Sequence, residues 1–137
     1  MEQNQPLEST TPVISIPQQA INNLLETGKW TKFLAILGFI FIGFMLLASV
    51  IMGVVTSVMG DAFPSLPFPG IFLALIYLVF AVLYFFPILY LFRFSTNIQK
   101  AMRANKPQDF NAAIGNLKSH YKFVGILVII IMVAYLL

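Results

Sequence analysis

In a soluble domain about half of the residues are apolar and about a quarter are charged; this chain of 137 residues is 59% hydrophobic and 9% charged, which excludes a water-soluble fold of ordinary composition. Its formal net charge of +3 comes from clustered positive residues, the pattern of a membrane topology signal rather than a nucleic-acid footprint, so no nucleic-acid partner is expected. Cysteine is absent, which removes disulfides, thiolate nucleophiles and cysteine-based metal sites together.

Residues 1–17 are polar, with Pro6, Pro12 and Pro17 spaced among Gln, Ser and Thr, too little apolar area to offset the cost of ordering a backbone; a disordered arm is expected. Over residues 18–32 the spacing turns helical, with Ile21, Leu24, Leu25 and Gly28 on one side and Asn22, Asn23 and Glu26 opposite. This predicts an amphipathic interfacial helix that lies at the membrane surface or runs straight into the first span. Trp30 between Lys29 and Lys32 places an amphipathic ring at headgroup level. The first apolar run begins only at Phe33 and is about twice the length of a signal-peptide core, which predicts a retained signal-anchor helix.

Span one covers about residues 33–59 without a charge, against the roughly 20 residues needed to cross hydrocarbon. Gly60 and Asp61 end it, and Pro64, Pro67 and Pro69 predict a tight extended turn at the outer surface, with Phe63 and Phe68 available to the interface. Span two covers about 71–92 and contains Pro87, which predicts a kink; the helical pattern then continues to 104. There Leu91, Phe94, Ile98, Ala101 and Met102 share one side, with Arg93, Lys100 and Arg103 on the other. Asn105 to Pro107 break that helix and begin the next, with Asp109 in its first turn.

The third helix, 108–137, carries Phe110, Ile114, Leu117, Tyr121 and Val124 as an apolar seam, with Asn111, Gly115, Lys118, Ser119 and Lys122 on the polar side. Its membrane part is 121–137, in which only about 15 residues from Phe123 are apolar, and Lys122 can snorkel to the interface. The expected fold is therefore all-α and polytopic transmembrane: three membrane-spanning helices, with a cytoplasmic helical hairpin extension between spans two and three. Basic residues flank the start of span one and fill the segment between spans two and three, whereas the loop between spans one and two has none. That asymmetry predicts an inner (plasma) membrane protein with the amino terminus cytoplasmic and the carboxyl terminus outside.

The apolar stretches 33–59, 71–92 and 123–137 contain no Asp, Glu, His, Lys or Arg of the kind that ion-coupled transport uses. The hydroxyls of Ser49, Thr56 and Ser57 are expected to bond to their own helix, and the tyrosines to sit in the aromatic belts. Ser49, Gly53 and Ser57 form a small-residue stripe at spacing four, suited either to packing within the monomer or to a homo-oligomer contact. Arg93, Lys100, Arg103, Lys106, Lys118 and Lys122 form a basic cluster that reads either as the topology determinant alone or as a contact for anionic lipid or a partner. His120, the only histidine, is expected on the polar side of its helix in a solvated or interfacial role. The five acids, Glu2, Glu8, Glu26, Asp61 and Asp109, are scattered, so neither an enzyme nor a cofactor is expected.

Gly28-Lys29-Trp30-Thr31-Lys32-Phe33, then Tyr84-Phe85-Phe86-Pro87 with Leu89-Tyr90-Leu91-Phe92-Arg93-Phe94-Ser95, then Asn116-Leu117-Lys118-Ser119 with Tyr121-Lys122-Phe123, together resemble an uncharacterised family of small three-helix bacterial membrane proteins, a domain of unknown function. The resemblance covers roughly residues 20–137. It implies a three-helix layout and a bacterial inner membrane, and no activity or functional residues. The expected role is that of a non-enzymatic accessory or scaffold protein that touches membrane lipid and a membrane-protein or cytosolic partner through the basic hairpin. The alternative is a small homo-oligomeric channel or permeability factor built on the small-residue stripe.

Overall fold

The computed structural model describes residues 15–59 and 70–137. Expectations for residues 1–14 of the arm and for the turn over 60–69, with its prolines, Asp61, Phe63 and Phe68, lie outside them. The described residues form three helices, α1 (Gln18–Met59), α2 (Gly70–Ala104) and α3 (Pro107–Leu136). Each is long and apolar enough to cross a membrane. A helix satisfies every interior backbone hydrogen bond within itself, which is what a segment surrounded by hydrocarbon requires. Most of the Phe, Ile, Leu and Val side chains along these stretches face outward, an arrangement suited to lipid and untenable in water. The chain is a multi-pass membrane protein.

Residues 18–32 do not form a separate element. Helix α1 runs through them without a break, and the face expected to be apolar is the one that packs: Ile21, Leu24 and Leu25 are half-buried and Gly28 is buried, whereas Asn22, Asn23 and Glu26 are exposed.

Helix α2 is the middle of the bundle; α1 packs along one side of it and α3 along another. On α1 the packing face repeats strictly in sevens. Gly28, Ala35, Ile42, Ser49 and Thr56 form one row, Thr31, Gly38, Met45 and Met52 the other, and all are buried or half-buried. A period of seven keeps two helices in contact along their whole length through a shallow left-handed crossing. The matching row on α2 is Ala74, Ala81, Ile88 and Ser95, also at intervals of seven. Small residues meet large ones: a Cβ on Gly28 would lie 2.8 Å from Ile98 Cγ2, and one on Gly38 would lie 2.8 Å from Ile88 Cδ1. Phe39 then meets Phe85 and Phe92 at ring separations of 5.9 and 6.0 Å.

Helix α2 stays helical through Pro87, which is buried. At its other end Asn105 takes a left-handed conformation, φ 50°, and the Lys106 amide donates to the Ala101 carbonyl at 3.2 Å. This is a Schellman cap, in which asparagine is among the few residues other than glycine that accept the backbone at low cost. Pro107 then opens α3 at a position where its missing amide hydrogen is no loss. Asn105→Val is expected to cost about 1–2 kcal/mol and Asn105→Gly almost nothing, measured by chemical unfolding in micelles.

The α3 packing face is rotated from the expected seam. Phe110, Leu117 and Val124 face the bundle as anticipated, but Ala113 is buried in place of Ile114, and His120 is half-buried in place of Tyr121, which is exposed. Both sets satisfy three-four spacing; the smaller residues win because they let α3 approach α2 closely.

A buried hydrophobic cluster sits at the charged end of the bundle. Phe94, Ile98 and Ala113 form it, and Leu24, Met102, Phe110 and Leu117 close around it, so that all three helices contribute.

Candidate functional site, a cationic cleft at the end of the bundle

Gly28 of α1 stands level with Ile98 of α2, and His120 of α3 with Pro87, so the antiparallel helices bring their charged segments to one end. All eight Lys and Arg residues of the chain, Lys29, Lys32, Arg93, Lys100, Arg103, Lys106, Lys118 and Lys122, lie there, and all are exposed. Each helix extends roughly 20 Å beyond its uncharged stretch to carry them. Trp30, exposed between Lys29 and Lys32, makes an edge-on contact with Phe33 at 6.1 Å.

Of the six basic residues expected to form a contact surface, the fold gathers three. Lys100, Arg103 and Lys106 line one cleft of about 330 Å³; Arg93, Lys118 and Lys122 do not. Lys32 of α1 joins the three from across the interface, and Thr96, Gln99 and Asp109 complete the polar wall. Sequence alone assigned Lys32 to the membrane border, because nothing in the spacing indicated which part of α2 it would face.

Four cations thus share the cleft with one carboxylate, and among the described residues no ion pair forms there. The Gln99 Nε2 is sealed from solvent with no hydrogen-bond partner. The Thr96 hydroxyl donates to the Phe92 carbonyl at 3.0 Å, which leaves its oxygen as an acceptor only. Lys106, the residue that precedes α3, provides no side-chain cap to that helix, whose first turn carries Asp109. The partial positive charge of that helix end adds to the cationic character of the cleft.

The small-residue stripe is divided. The Ser49 hydroxyl crosses to donate to the Ala74 carbonyl at 2.9 Å, and a Cβ on Gly53 would lie 3.8 Å from that of Ala74, so both face α2 of the same chain. Ser57 is exposed and bonds to Val54 in its own helix, as Thr56 does to Met52. The expectation that span hydroxyls serve only their own backbone therefore fails at Ser49, where the close approach of Ala74 offers a carbonyl across the interface.

His120 departs from expectation in the same way. Its Nδ1 lies 2.8 Å from the Pro87 carbonyl oxygen, to which the protonated nitrogen donates, and its ring packs edge-on against Tyr121 at 5.5 Å. It fastens α3 to α2 beside the Phe86–Phe123 ring pair, 6.0 Å between centroids, instead of facing solvent. Among the described residues no three His, Asp or Glu side chains come together.

Set against protein-family models, curated proteins and solved structures, the chain matches none.

Proposed function

We propose that this protein is a non-enzymatic accessory or scaffold protein of a bacterial inner membrane, with its amino terminus and basic end in the cytoplasm and its carboxyl end outside. In this reading the cytoplasmic hairpin formed by the ends of α2 and α3 is the contact surface for a partner protein or for anionic lipid. One observation carries it: every Lys and Arg of the chain is exposed at the same end of the bundle, on helices that continue past their apolar stretches. Such an excess of basic residues marks the cytoplasmic side, and a projecting helical end with a packed core beneath it presents those residues on a firm base.

Replacing Lys100, Arg103 and Lys106 together by Gln is expected to reduce crosslinking to neighbouring proteins in native membranes, or binding to anionic liposomes, by at least tenfold. Unchanged crosslink and lipid-binding profiles would remove the proposal. Because the chain has no cysteine, Met59→Cys and Ala104→Cys can be labelled from either side; the orientation requires the two to respond to opposite sides of the membrane.

A further inference from the structure

We infer that the cleft between α1, α2 and the start of α3 is a binding site for a phosphate group, held by Lys32, Lys100, Arg103 and Lys106 with the Gln99 amide at its wall. The inference rests on the accessory reading above and narrows its broad basic surface to one site. Three features single the cleft out from the rest of the basic end.

First, its charge is imposed by the fold. Lys32 comes from α1, Lys100 and Arg103 from α2 and Lys106 from the turn, so close packing of the helices at Gly28 forces like charges into one concavity. Four cations around one concavity raise its positive potential and attract an anion, and Asp109 is the only acid in the wall. Second, the donors there are not consumed. No ion pair forms within the cleft, and the Gln99 amide has no acceptor within the protein. Third, the ligand chemistry fits. Arginine presents a planar fork to a tetrahedral oxyanion, lysines add point charges, and the start of α3 adds its dipole. Arg93, Lys118 and Lys122 carry equal charge but lie outside the cleft, and they serve as internal controls.

A phosphate group reaches this end of the bundle either as the headgroup of an anionic phospholipid or as a soluble anion. The test uses the full chain in phosphatidylcholine nanodiscs. One arm titrates inorganic phosphate at constant ionic strength; the other replaces a tenth of the lipid with phosphatidylglycerol and counts retained lipid by native mass spectrometry. Saturable binding of one anion is expected, and the arm in which it appears identifies the source. Lys32→Gln and Arg103→Gln should each weaken it about fivefold, and Lys118→Gln and Lys122→Gln should leave it within about twofold. Asp109→Asn should tighten it severalfold, and an unfolding transition in micelles like that of the unsubstituted chain shows that each variant remains folded.

Equal losses from Lys32→Gln and Lys118→Gln overturn the cleft while leaving the diffuse basic surface intact. Absence of saturable binding in both arms overturns it too. If crosslinks to a partner persist under that result, the accessory reading stands without the site.

Discussion

Combining Gly28→Leu with Gly38→Leu is expected to detach α1 from α2, with a loss of about 2–6 kcal/mol in unfolding free energy. At Gly28 even a single added carbon would lie 2.8 Å from Ile98 Cγ2 and 3.1 Å from Gln99 Cγ, with the Ser95 carbonyl behind them at 3.5 Å. At Gly38 three atoms of Ile88 lie between 2.8 and 3.1 Å. Ile98 and Ile88 are β-branched, with little rotamer freedom to yield, so the helices themselves have to separate. Overpacking costs about 1–3 kcal/mol at each site, and sites ten residues apart on a helix add nearly independently. Gly43 and Gly125 have nothing within 4 Å of the corresponding position, so Gly43→Leu and Gly125→Leu should leave stability almost unchanged. Unfolding in mixed micelles compares the two pairs directly; equal effects from both would show that α1 and α2 do not depend on these contacts.

Ile98→Ala is expected to cost about 2–5 kcal/mol and Ile98→Val about 0.5–1.5. Ile98 is fully buried where side chains of all three helices meet, and its removal opens a cavity among Phe94, Ala113 and the side chains around them. This cluster lies among the basic residues, beyond the uncharged stretches. In the proposed layout this end stands in water, which supplies a hydrophobic driving force that lipid does not supply between helices. Ile114→Ala, next to the buried Ala113 on α3 but 44% exposed, should change stability by less than about 0.5 kcal/mol. The same unfolding measurement distinguishes them, and a cost at position 114 as large as at 98 would return the seam to the face first expected from the spacing.

The contrast between Ile98 and Ile114 shows what was legible in the sequence. The three helices, the end of α2 at Asn105 to Pro107 and the apolar faces of residues 18–28 and 91–102 follow from charge-free length, cap chemistry and alternation of polar with apolar residues. Those signals work where one face of a helix meets water. Inside the uncharged stretches hydrophobicity is nearly uniform around the helix, so the packing face is written in side-chain size, as in Gly28, Ala35, Gly38 and Ser49, and a reading of polarity passes over it. The stripe from Ser49 to Ser57 touched only part of that pattern. Gly38 belongs to that pattern through Thr31 and Met45, seven residues to either side. His120 was misplaced for a related reason: a polar ring looks solvent-bound until the Pro87 carbonyl is seen beside it. Lys32 could not be assigned to the cleft without knowing which residues of α2 stand opposite α1.

A face of small residues that recurs every seven positions carries an ambiguity: one helix displaced lengthwise by a single repeat, about 10 Å, finds nearly the same footing. Two interruptions in α1 forbid that slippage. Ile42 is a bulky step in an otherwise slender row, and the Ser49 hydroxyl is tethered to the Ala74 carbonyl. The height at which Lys32 stands beside Gln99 is therefore set about 15 and 25 Å away, deep in the apolar zone, by one methyl-rich side chain and one tether.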